Sequence, residues 1–98
     1  MDEKELPEWL TENDDGSLQV SFKGCPIMID GTKVEALVMR EPTVGDQLAA
    51  EPVEKAKGPG WAEVTMIANL VEQAPEVIQG LTLRRYLRVQ TALQFFHS

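Results

Sequence analysis

The chain has 98 residues, of which 43% are hydrophobic and 26% charged, so it has room for one domain with one small core. Its formal net charge is −7, and most of the acidic excess lies in the first 16 residues, which hold seven carboxylates and one lysine. An acidic protein repels phosphate backbones, so this charge balance argues against sequence-independent binding of nucleic acid.

Cys25 is the single cysteine, which excludes an intramolecular disulfide and a multi-cysteine metal site and is typical of a reducing compartment. The acidic N-terminus lacks the apolar stretch of a signal peptide, and no run approaches the roughly 20 apolar residues that cross a bilayer. We therefore expect no membrane partner and a location in the cytoplasm of the cell that makes the protein.

Residues 1–16 are predicted to form an acidic flexible arm, because such a composition buries too little apolar surface to offset the entropy of ordering. Trp9 in this arm has two interpretations: it packs back on the domain, or it anchors a partner. Residues 17–98 are predicted to form a single α+β domain. We expect an N-terminal β-hairpin or three-stranded meander followed by two to three α-helices.

The β-hairpin is predicted over residues 17–41. Residues 18–22 alternate between apolar and polar side chains, which indicates a strand with one buried face. Residues 24–26 interrupt that strand, because Pro26 cannot donate to a ladder. An Asp-Gly pair between apolar β-formers then predicts a tight turn, and the return strand is expected over residues 33–40.

Three helices are predicted after the hairpin. Thr43 and Asp46 have the spacing of a helix cap, so a short helix is expected to start there and to end before Pro52. Two prolines and two glycines in the next ten residues predict a mobile loop. The predicted helices cover residues 43–50, 61–74 and 82–96, and the loop covers residues 51–60.

The chain offers little for catalysis. His97 is the only histidine and is penultimate in the chain, where packing seldom positions a general base. Cys25 beside a strand break is more typical of a small buried side chain than of a nucleophile. We predict no catalytic residue, no metal site and no cofactor. The three arginines of the last helix are predicted to line a solvated face: Arg84, Arg85 and Arg88.

An ordered set of short motifs runs from the first strand break into the first helix. It consists of a Pro-hydrophobic step, an Asp-Gly turn, a second strand, Arg-Glu-Pro and Gly-Asp. This set resembles the signature of the tail assembly chaperone family of Mu-like and related bacteriophages. A final helix with Leu83, Tyr86 and Leu87 also fits, whereas Arg85 stands where an aspartate is common in that family. The motif residues are Pro26, Asp30, Gly31, Arg40, Glu41, Pro42, Gly45 and Asp46.

The resemblance implies a small protein that binds the tape-measure protein of a phage or prophage and keeps it soluble before the tail tube polymerises. It also implies a location in the bacterial host cytoplasm, absence from the mature virion, the tail tube protein as a possible further partner, and often a frameshifted longer form. Arg40 and Glu41, which end a strand beside the start of a helix, have a second interpretation. In it, their two side chains form an internal ion pair.

On this hypothesis, apolar helix faces serve the partner, although a stripe at helical spacing is more often core. Terminal Phe95 and Phe96 either cap the domain's own core or suit self-association into a homo-oligomer. A different class of function is also open, an acidic inhibitor or nucleic-acid mimic that binds a basic host enzyme through the N-terminal arm. The predicted partner-binding residues are Trp61, Val64, Ile67, Val71, Leu83, Leu87, Phe95 and Phe96.

Overall fold

The computed structural model describes residues 6–97 and confirms the predicted α+β class. Five short strands precede four helices in the described range. No helix in this range has the length and apolar character needed to cross a bilayer. The strands are β1 Leu10–Glu12, β2 Leu18–Ser21, β3 Ile27–Ile29, β4 Thr32–Val34 and β5 Ala36–Met39, and the helices are α1 Val44–Lys57, α2 Pro59–Leu70, α3 Pro75–Gln79 and α4 Leu83–Phe96.

The core forms between one face of an antiparallel sheet and the helices. The sheet has the order β1-β2-β5, and its register places Leu18 opposite Met39 and Val20 opposite Leu37. These four side chains are buried because directly opposed residues point to the same face of a sheet. The helices contribute buried side chains to the same cluster, chiefly Ile67, Ala68 and Leu70 from α2, Ile78 from α3, and Val89, Ala92 and Leu93 from α4.

The predicted Asp-Gly hairpin is confirmed, as β3 pairs with β4 around Asp30 and Gly31. Both turn residues have positive φ, 51° and 78°, as the tight turn that matches strand twist requires. The predicted return strand over residues 33–40, however, is two strands that separate at Glu35. The second of them, β5, pairs with β2 instead of β3, because Leu37 and Met39 then face the core.

The prediction of a flexible arm over residues 1–16 was wrong for its second half, and residues 1–5 lie outside the described residues. Leu10 is buried, and β1 pairs with β2. The turn between them is ordered by Asp15, whose Oδ1 accepts hydrogen bonds from the Ser17 amide at 2.9 Å and hydroxyl at 2.6 Å. Trp9 follows the first interpretation, since it packs against the core.

The predicted loop over residues 51–60 is mostly helix, because α1 continues from Val44 to Lys57. Pro52 lies inside this helix, where it removes one hydrogen bond and crowds the preceding turn, at a cost of about 3 kcal/mol. Capping at the N-terminus, lysines in the last turn and packing on α2 offset that cost. Gly58 alone joins the two helices, with φ 100° and ψ 170°.

The remaining helix bounds differ less from prediction. α2 starts two residues before the predicted helix, with Pro59 in its first turn, and ends at Leu70, before Glu72 with its positive φ of 60°. The connector after it contains the short helix α3, which buries Ile78. α4 covers Leu83–Phe96, and its cap is confirmed by the Thr82 hydroxyl, which accepts a hydrogen bond from the Arg85 amide.

We expect Leu10→Ala to lower the free energy of unfolding by about 2–5 kcal/mol, because it leaves a cavity beneath the sheet. Urea denaturation followed by circular dichroism measures the change. The matched control is Leu48→Ala on the exposed side of α1, for which we expect less than about 0.5 kcal/mol. Equal effects of the two substitutions would show that residues 6–16 do not contribute to the core.

We expect Gly58→Ala to destabilise the protein by about 1–3 kcal/mol, because its backbone conformation is one that only glycine adopts without strain. Apart from the glycine and its two chain neighbours, no atom lies within 4 Å of the added methyl group, so the effect comes from the backbone alone. Gly60→Ala is the control, since it also meets open space but lies in α2 with an ordinary φ. Thermal unfolding should show Gly60→Ala neutral or stabilising, and an equal loss at both positions would contradict the strain at Gly58.

Candidate partner-binding surface

The Arg-Glu-Pro and Gly-Asp motifs meet in a clamp between the end of β5 and the start of α1. Arg40 donates two hydrogen bonds to the carboxylate of Asp46, from Nη1 to Oδ2 at 2.8 Å and from Nη2 to Oδ1 at 2.9 Å. Asp46 Oδ2 also accepts from the Thr43 amide at 2.8 Å, while the Thr43 hydroxyl accepts from the Asp46 amide at 3.2 Å. This is a capping box with an added bidentate arginine.

The clamp corrects the proposed pairing of Arg40 with Glu41, since Arg40 pairs with Asp46 and Glu41 is exposed. The Arg40 guanidinium and the Thr43 amide hold the pKa of Asp46 far below its ordinary value of 3.8. The clamp matters because no residue of α1 is fully buried. The direction of α1 therefore depends on the contacts at its two ends and on its one half-buried face.

Two arginines fasten α4 to the strands, which corrects the prediction that all three line a solvated face. Arg85 Nε donates to the carbonyls of Cys25 at 3.0 Å and Pro26 at 3.2 Å. Arg88 Nη1 donates to the Ser21 carbonyl at 2.6 Å, and its guanidinium lies 5.4 Å from the centre of the Trp9 ring. Arg85, the departure from the family pattern, thus ties α4 to the start of the motif region.

An open groove lies between the start of α2 and the first half of α4. Its volume is about 400 Å³, and Trp61, Val64 and Tyr86 supply most of its apolar wall. Lys57 Nζ lies 5.0 Å from the centre of the Trp61 ring, which braces that ring against α1. The six lining residues among those described are Gly60, Trp61, Glu63, Val64, Gln79 and Tyr86.

Glu63 links the two helices that form the groove. Its Oε1 accepts hydrogen bonds from the Tyr86 hydroxyl and from Gln90 Nε2, the latter at 3.0 Å. Partial burial of the phenol and the neighbouring Glu63 carboxylate raise the pKa of Tyr86 above its ordinary value of 10.0. Tyr86 therefore stays protonated and donates at any physiological pH.

The face of α4 next to Tyr86 is apolar and exposed. Leu83 is 87% exposed and Leu87 57% exposed, and their spacing of four residues puts them on one face of the helix. That face adjoins the one that carries Tyr86 and Gln90. An exposed leucine pair beside an apolar groove is the kind of surface that marks a protein-binding site.

The structure divides the predicted partner-binding residues. Trp61 and Val64 line the groove, and Leu83 and Leu87 are exposed on the neighbouring face of α4. Ile67 and Val71 are instead buried in the core where the helix stripe meets the sheet, so in this conformation neither is open to a partner.

Phe95 and Phe96 are half-buried, and they pack against the core beside Leu6 and Leu18. In this conformation they cover the domain's own core, which is one of the two interpretations left open by the sequence. Their part in self-association stays a prediction.

The two reactive side chains lie at opposite ends of α4. The Cys25 carbonyl meets Arg85 in the first turn, whereas His97 caps the C-terminus, about 18 Å away along the helix axis. A hydrogen-bonded Cys–His pair cannot form across that distance. Within residues 6–97, no three His, Cys, Asp or Glu side chains are grouped as metal ligands would be.

Sequence reasoning missed Glu63, Gln79 and Gln90. Gln79 and Gln90 are polar residues with no motif, so only packing identifies them. Glu63 carried a weak signal, because it lies within two residues of Trp61 and next to Val64 and is the one charged residue of α2.

We expect Asp46→Asn to reduce the hydrogen-exchange protection of the α1 amides near neutral pH. A carboxyl whose pKa is lower in the folded than in the unfolded state contributes stability above its unfolded pKa, and this contribution is lost as the pH falls towards the folded value. The difference between wild type and variant should therefore be full above about pH 4 and shrink below it. Glu41→Gln, an equal charge change at the neighbouring exposed carboxylate, should leave protection unchanged, and equal effects would refute the clamp.

Comparison with known proteins identifies the family. A family model described as phage tail assembly chaperone proteins, E, or 41 or 14, matches residues 24–98, which include the clamp, the groove and every motif residue. The central strand β2 lies before the matched range. No curated protein and no solved structure matches the chain. Because the family model covers about three-quarters of its length, the chain belongs to the phage tail assembly chaperones.

Proposed function

We propose that this chaperone binds the tape-measure protein through the groove between α2 and α4 and keeps it soluble until the tail tube polymerises around it. The observation that carries the proposal is the apolar groove of Trp61, Val64 and Tyr86, together with the exposed leucines 83 and 87 on the face of α4 next to Tyr86. An amphipathic helix that lays its apolar face into such a groove would be covered along one side.

The charge of the protein supports a solubilising role. A long helical protein with uncovered apolar stripes associates with itself, and a bound partner that carries a net charge of −7 would keep the complexes apart. The proposed role needs no reactive group, so the chaperone acts by binding and not by catalysis.

Other parts of the proposal follow from the same role. A protein that acts before tube polymerisation works in the cytoplasm of the bacterial host and is absent from the mature virion. The tail tube protein is a further partner, because the tube must replace the chaperone on the tape measure. Self-association into a homo-oligomer would present several grooves along one tape-measure chain and raise the apparent affinity.

The proposal is tested by co-expression with the tape-measure protein encoded in the same genome. We expect the wild-type chain to bring the tape-measure protein into the soluble fraction and to elute with it in size-exclusion chromatography. We expect Leu83→Asp/Leu87→Asp to fold, because both side chains are exposed, and to lose at least about tenfold in affinity through desolvated carboxylates.

The control is Met28→Asp/Val38→Asp, which adds the same charge at two exposed apolar positions on the strands, away from the groove. This pair should bind as the wild type does. A tape-measure protein that stays insoluble with the wild-type chaperone would refute the proposed function. Equal losses in both double variants would refute the placement of the binding surface on α4.

A further inference from the structure

We infer that the groove selects a partner helix that presents an arginine or lysine among its apolar residues, and that Glu63 is the residue that pairs with this cation. The inference rests on the proposed function, and it adds the chemistry by which the chaperone distinguishes one amphipathic segment of the tape measure from another.

The position of Glu63 is the first argument. It carries the only charge among the six described residues that line the groove, and it lies beside Trp61 and Val64. It also lines a second cavity of about 440 Å³ together with Met66 and Leu93. Glu63 therefore lies between the groove and this second cavity, where its hydrogen bonds to Tyr86 and Gln90 join α2 to α4.

The place of Glu63 in the groove wall is the second argument. A docked amphipathic helix places side chains at positions i, i+3 or i+4, and i+7 into a groove. The middle one of these side chains would meet Glu63, since Glu63 shares the groove wall with Trp61 and Val64.

The electrostatics of the site determine what that middle side chain must be. Glu63 receives hydrogen bonds on Oε1 from two neutral donors, Tyr86 and Gln90, and within residues 6–97 no lysine or arginine forms an ion pair with it. A docked helix would remove water from this carboxylate. A buried carboxylate without a cation is strongly unfavourable, so an all-apolar helix is rejected and one with a cation is accepted.

The cations of the chain itself are engaged elsewhere. Lys57 Nζ lies 5.0 Å from the centre of the Trp61 ring, and Arg85 and Arg88 donate to backbone carbonyls. Glu54 lines the second cavity with Glu63. A cation that pairs with Glu63 therefore comes from the partner, and the complex should weaken as salt screens the charges.

The inference is tested on the purified complex with the tape-measure protein from the same genome, by measuring Kd between about 50 and about 500 mM NaCl. Glu63→Gln keeps the shape of the side chain and an oxygen that accepts from Tyr86. We expect it to raise Kd by about tenfold or more at low salt and to flatten the salt dependence. The matched control, Glu51→Gln on the exposed side of α1, should bind with the wild-type Kd.

A second variant separates partner recognition from internal bracing. Gln90→Met removes one hydrogen bond to Glu63 but leaves the carboxylate and all the groove-lining residues, so we expect a Kd within about twofold of wild type. If Gln90→Met weakens binding as much as Glu63→Gln, or if Glu63→Gln binds normally while Leu83→Asp/Leu87→Asp does not, the inference fails and the proposed function stands. If the wild-type chain does not bind the tape-measure protein, both fail.

Discussion

The contact between the inner face of the three-stranded sheet and helices α2 and α4 is the constraint on which the rest of the molecule depends. Leu18, Val20, Leu37 and Met39 have no other apolar surface to pack against, and a domain of 98 residues can build only one such layer. When α2 and α4 pack across the sheet, the apolar stripe of each helix is buried against it. Other faces of the same two helices then form the groove.

Polar contacts then fix the helices that burial alone would leave loose. Arg85 donates to the carbonyls of Cys25 and Pro26 just before β3, and Arg88 donates to the carbonyl of Ser21 in β2, so together they set the position of α4 along the sheet. The clamp of Arg40 and Asp46 sets the start of α1 in the same way. Since α1 buries no residue fully, its position follows from this clamp, from Gly58 and from its contact with α2.

A chaperone that releases its client needs a surface that is apolar enough to bind and polar enough to stay dissolved when empty. The groove combines Trp61, Val64 and Tyr86 with one carboxylate, and the exposed leucines of α4 lie on the face next to Tyr86. In the proposed function, binding energy would be concentrated in these aromatic and aliphatic anchors, as in other protein interfaces. The proposed role of Glu63 would add selectivity, because the carboxylate would penalise any client that cannot supply a cation.

The sequence by itself determined those features that depend on neighbouring residues: the alternation of β2, the Asp30-Gly31 turn, the caps at Thr43 and Thr82, and the family to which the motif set points. Only the tertiary structure decided that β5 leaves β4 to pair with β2, that Leu10 completes the sheet, and that α1 continues through Pro52. It also decided that Ile67 and Val71 are core while Leu83 and Leu87 are surface. The reason is physical: a helical stripe has the same spacing whether it meets a sheet or a partner, and only the packing of distant segments determines which face is covered.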